Sequence, residues 1–125
     1  MLDAWSTTRD AFPRDVRDEY IEKLSDPATI HAVCEEYRAA ATLDYQHDGA
    51  DRGRVKINCP VLALWSDVGA VETWYEPLKV WAEWANDLRG GSIAAGHFLP
   101  EEAPDEISRE LAQFFSSDVA YGYPI

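Results

Sequence analysis

The sequence predicts an α/β fold, with helices first and then a βαβα unit containing two parallel strands. Three observations predict it. The apolar spacing is helical up to about residue 41 and changes period at Val61-Leu62-Ala63-Leu64-Trp65, a continuous apolar run. Such a run without alternation fits a strand covered on both faces, as in a parallel sheet. A second short apolar run, Ser92-Ile93-Ala94-Ala95, follows a helical stretch, and a further helical pattern runs from Pro104 to Phe115. Strand, helix, strand and helix in that order make a crossover unit that is right-handed by default.

Residues 1–12 hold Trp5 and Phe12 in a polar setting with weak helical character. Pro13 reads as a first-turn proline, and Val16, Tyr20 and Leu24 then share one helical face. Asp26 is a candidate N-cap with Pro27 as the first helical residue. Ile30, Val33, Cys34, Tyr37 and Ala41 share the inward face of this second helix, completing an αα-hairpin. Residues 44–55 are polar, carry glycines and read as a linker.

Leu78, Trp81, Trp84, Ala85 and Leu88 predict a helix of about three turns with its tryptophans in the core. Gly90-Gly91 reads as its terminator. A two-stranded parallel sheet cannot cover its own faces, so the pattern looks like the end of a larger doubly wound sheet.

Composition narrows the function. The 125 residues suffice for one small domain with one core, and the net charge is −12. Lysine occurs only at positions 23, 56 and 79. No positive field exists to offset phosphate, so neither nucleic acid nor an acidic membrane surface is an expected partner. No apolar run approaches the ~20 residues that span a bilayer. The N-terminus has no signal-peptide pattern, and a cytoplasmic location is expected. Cys34 and Cys59 form neither a disulfide framework nor a metal cluster and read as two buried thiols. His31 and His47 have no metal-site spacing and read as surface residues.

The chemistry is expected at Gly96-His97-Phe98, between the second strand and the last helix. α/β proteins keep their sites at the carboxyl ends of parallel strands, and imidazole moves protons near neutral pH. His97 is therefore the candidate base, with a capping or core histidine as the plain alternative. Glu101-Glu102 reads as acidic residues favouring the amino end of the last helix. Asp67 follows the first strand and is either a turn residue or a triad acid.

Three stretches carry a resemblance: Cys34-Glu35-Glu36-Tyr37-Arg38-Ala39-Ala40, Cys59-Pro60-Val61-Leu62-Ala63-Leu64-Trp65, and Gly96-His97-Phe98-Leu99-Pro100-Glu101-Glu102-Ala103-Pro104-Asp105. In order and spacing they resemble the C-terminal part of the haloacetate (fluoroacetate) dehalogenases of the α/β-hydrolase fold. The resemblance implies that residues 1–55 are the end of a helical cap plus a linker. It makes residues 56–116 the last strands and helices of the hydrolase core, and leaves 117–125 as a tail.

The implied chemistry is covalent. An aspartate attacks the carbon bearing the halogen, and water activated by histidine hydrolyses the resulting ester. His97 matches the catalytic histidine. Tyr37 matches the cap tyrosine that donates a hydrogen bond to the departing halide. The nucleophile would lie upstream of the cap and has no counterpart in these residues, so the chain alone is expected to be inactive. No cofactor is implied. The expected ligand is a small haloacid, and the expected protein partner is a second copy or a complementary N-terminal fragment. An epoxide hydrolase or another α/β-hydrolase is the alternative within the fold, and a non-catalytic module pairing through an open sheet edge is the alternative outside it.

Overall fold

A computed structural model describes residues 2–117 of the chain; the tail expected from 117 lies, from 118 onward, outside the described residues. The chain divides into two compact units. One holds the described residues up to Ala11 together with those from Ile57 onward, and the other is Phe12–Lys56.

The Phe12–Lys56 unit is helical. Helix α2 spans Arg14–Ser25 and α3 spans Pro27–Ala39. Asp26 caps α3: its side chain accepts a hydrogen bond from the Ala28 N–H at 2.9 Å, and Pro27 occupies the first turn as expected. The helix does not stop where a linker was expected. It continues through a π-helical turn, Ala40–Asp44, into α4, Tyr45–Asp51. Backbone pairing carries the polar sequence along, and the chain leaves helical geometry only at Arg52. Phe12 is buried, with Tyr20 edge-on at 6.0 Å between ring centroids.

Two further expectations fail in this unit. Tyr37 does not face inward, because 74% of it is exposed. Cys34 is also exposed, as is Cys59 in the other unit, so neither thiol is buried. A helix pair and its continuation offer too few neighbours to enclose a whole apolar stripe. Ile30 and Val33 on that stripe are accordingly exposed as well.

The other unit opens with a short helix α1, Leu2–Trp5, and is built on strands β1, Val61–Ser66, and β2, Leu88–Ile93. They pair in parallel from Val61 opposite Leu88 to Ser66 opposite Ile93. Ile57 adds a parallel bridge to Ala85. Between the strands run α5, Ala70–Trp74, and α6, Pro77–Trp81. After β2 come α7, Leu99–Glu102, and α8, Pro104–Ser117. The expected βαβα order is therefore present, with its sheet confined to two strands among the described residues.

The crossover differs from expectation in detail. The helix predicted through Leu88 ends at Trp81, because strand pairing claims the residues beyond it. The Trp84 carbonyl accepts from the Ile57 N–H at 2.7 Å, and the Asp87 carbonyl accepts from the Val61 N–H at 2.8 Å. Gly90-Gly91 sits inside β2 instead of ending a helix. Trp81 is 43% exposed, not core, while Trp84 is half-buried.

Among the described residues, the buried apolar residues of this unit are Ala85, Ile93 and Ala95, all on or beside β2. Helix α8 lies near the strand, with the Arg89 guanidinium 5.8 Å from the Phe114 ring centroid. Among the described residues, no helix is long and apolar enough to cross a membrane.

Candidate active site

The site forms where β2 ends. The chain bends at Ala94-Ala95 and again at His97 before α7 begins. Two contacts tie this turn to the end of β1. The Ser66 hydroxyl donates to the Ala95 carbonyl at 2.7 Å, and the Asp67 N–H donates to the Ile93 carbonyl at 3.0 Å. His97 is thus delivered to the carboxyl edge of the parallel pair, where it was expected.

The His97 N–H donates to the Trp5 carbonyl at 2.9 Å. Its ring lies edge-on to Trp5, with centroids 4.9 Å apart, and edge-on to Phe98 at 5.0 Å. The two aromatic neighbours fix the ring while leaving the residue exposed. It opens on a cleft of about 750 Å³ lined by Trp5, Leu64, Trp65, Val68 and Leu99, among others. Trp65 is itself pinned, its indole N–H donating to the Glu72 carboxylate of α5.

Beneath His97 lies a feature the sequence did not reveal. The Glu102 carboxylate collects hydrogen bonds from the Thr7 N–H at 2.7 Å, the Thr8 N–H at 2.9 Å and the Thr7 hydroxyl at 3.0 Å. It also accepts from the Gly96 and Phe98 N–H groups, both at 3.1 Å. Burial by itself would raise its pKa. The N–H groups of Thr8, Phe98 and Thr7 and the Thr7 hydroxyl outweigh that and hold it at about 2. Glu102 is therefore not an acidic residue placed only for a helix dipole. As the second half of a Glu-Glu pair it gives no signal, because three of its five hydrogen bonds come from Thr7 and Thr8, some 95 residues away in sequence.

The remaining candidates are not part of this hydrogen-bonded cluster. Tyr37 belongs to the helical unit, and His97 to the strand unit. Asp67 is exposed in the turn after β1, and among the described residues no hydrogen bond or ion pair joins its carboxylate to His97. His31 and His47 are exposed, as expected. Among the described residues, no group of three His, Cys, Asp or Glu side chains is placed to hold a metal ion.

No protein-family model matches the chain. A fluoroacetate dehalogenase from Burkholderia sp is 35% identical over 116 residues, covering 92% of this chain and 38% of that protein. The chain is a homologue of fluoroacetate dehalogenase and carries part of the α/β-hydrolase fold. A soluble epoxide hydrolase from Corynebacterium sp. is 29% identical over 99 residues, which is 78% of this chain and 32% of that enzyme.

Solved structures agree on the fold. A candidate α/β hydrolase from Nostoc sp matches 91% of this chain and 39% of its own with a TM-score of 0.85 and 46% identity. A candidate epoxide hydrolase from Pseudomonas aeruginosa matches 93% of this chain and 39% of its own with a TM-score of 0.83 and 38% identity. The chain thus spans between about a third and two fifths of the length of these relatives. Its two-stranded sheet is a section of a hydrolase fold.

Proposed function

We propose that this chain carries the water-activating histidine, His97, and the cap tyrosine, Tyr37, of a hydrolase that cleaves carbon–halogen bonds in short haloacids. The observation that carries the reading is the His97 ring, exposed on an apolar cleft at the carboxyl edge of the β1–β2 pair. The Burkholderia relative supplies the reaction class.

An aspartate carboxylate on a complementary segment attacks the carbon bearing the halogen. The carbon–halogen bond breaks, and its electron pair leaves on the halide, which the Tyr37 hydroxyl stabilises as charge develops. His97 then takes a proton from water as the water oxygen adds to the ester carbonyl. Collapse of that adduct breaks the ester bond, the departing alkoxide takes the proton back from His97, and the carboxyl left on the aspartate gives up the remaining water proton to solvent, which regenerates the carboxylate.

The partner is a complementary N-terminal segment rather than a nucleic acid or membrane. Among the described residues β1 pairs only with β2, so the other edge of β1 is open to another strand. Co-expression of this chain with the N-terminal portion of the Burkholderia enzyme tests the reading. The assembled pair is expected to release halide from fluoroacetate or chloroacetate, and this chain alone is expected to release none. Halide release by the chain alone, or none from a pair that does assemble, overturns it.

The Corynebacterium relative favours one second reading, an epoxide hydrolase in which Tyr37 donates to the opening epoxide oxygen. Diol formation from an epoxide by the same pair, without halide release, would select it.

A further inference from the structure

We infer that Glu102 is a positioning residue: its carboxylate clamps the Gly96-His97-Phe98 turn onto the Trp5–Thr8 segment and so sets where the His97 ring stands. The argument begins with the donors. Glu102 takes N–H groups from both sides of His97, Gly96 before it and Phe98 after it. It also takes the backbone N–H groups of Thr7 and Thr8, which lie just past the tryptophan that touches the His97 ring. One carboxylate therefore joins the two segments whose contact, His97 N–H to Trp5 carbonyl and ring against ring, orients the imidazole.

The packing leaves no slack. A Cβ at Gly96 would stand 2.6 Å from Glu102 Oε1 and 2.7 Å from both the Thr7 nitrogen and the Trp5 carbonyl oxygen. Backbone N–H groups converging on an anion form charge-assisted bonds, the stronger class. An amide side chain of the same shape cannot replace the anion, because its NH₂ end opposes the incoming donors.

The importance of the clamp for catalysis rests on the reading of His97 as the water-activating base, but the clamp itself is tested without activity. Amide hydrogen exchange and the His97 ring-proton signals are followed by NMR in the 125-residue chain, with Asp105→Asn as a control. Glu102→Gln is expected to speed exchange at Thr7, Thr8, Gly96 and Phe98 by about tenfold or more and to move the His97 ring signals away from their Trp5-shifted positions. Asp105→Asn is expected to do neither.

Thr7→Val removes the hydroxyl donor alone and is expected to shift the same His97 signals by less, which keeps the test open if Glu102→Gln fails to fold. Unchanged His97 signals in a folded Glu102→Gln, or in Thr7→Val where the first does not fold, overturn the inference. Wild-type amides at these positions that exchange without protection overturn it too. A wild-type pair that assembles yet releases no halide would instead sink the dehalogenase reading and leave the clamp standing.

Discussion

Gly90 passes so close to Ala63 that a Cβ on it would stand 1.8 Å from the Ala63 carbonyl oxygen, and its φ is +150°. The two residues are register partners in the β1–β2 pair. The glycine is thus required twice over, by backbone conformation and by space. Gly90→Ala is expected to cost at least about 3 kcal/mol, combining strain with overpacking. Gly91→Ala next to it, where a Cβ meets nothing within 4 Å, is expected to cost far less. Urea midpoints of the two variants check the contrast, and equal losses would contradict it.

The Glu102 clamp predicts a pH signature. Its folded pKa of about 2 lies below the ordinary 4.5. The unfolded carboxyl binds its proton first as acid is added, so the stabilisation is complete above pH 4.5 and fades as pH falls through 4.5 towards 2. The residue is only half-buried, which limits the contribution to about 1–2 kcal/mol. Glu102→Gln should be less stable than wild type at neutral pH, with the gap closing near pH 2. A gap independent of pH would mean that the carboxylate charge does nothing.

The Asp26 cap gives a prediction for the helical unit. Its side chain satisfies the Ala28 N–H at the start of α3. Asp26→Ala is expected to destabilise this unit by about 1 kcal/mol, and Asp26→Asn by much less. Chemical denaturation followed by circular dichroism compares them.

What the sequence revealed and what it hid divide along physical lines. The Asp26-Pro27 start, the Val61–Trp65 strand and the placement of His97 beyond a second strand depend on local pattern, and local pattern suffices for them. The exposure of Tyr37 is not legible in the sequence, because a helical stripe reports periodicity and not whether a neighbour exists to cover it. Gly90-Gly91 has the composition of a helix stop. Only the close passage of Ala63 shows why glycine stands inside a strand instead. Glu102 was hidden because its partners, Thr7 and Thr8, come from the far end of the chain.

The proposed division of labour makes His97 dispensable for one half of the reaction and necessary for the other. Displacement of halide needs the aspartate and the halide donors, whereas hydrolysis of the ester needs a base to take the proton from water. His97→Asn keeps a polar ring-sized side chain but cannot accept that proton near neutral pH. In the assembled pair it is expected to release halide in an amount matching the enzyme, then stop, with ester hydrolysis slowed about 10²–10⁴-fold. Rapid-quench halide measurement shows the burst, and intact mass shows the trapped ester. A loss of the burst itself would place His97 in the displacement step and overturn this assignment. Full steady-state turnover in His97→Asn would remove it from the chemistry altogether.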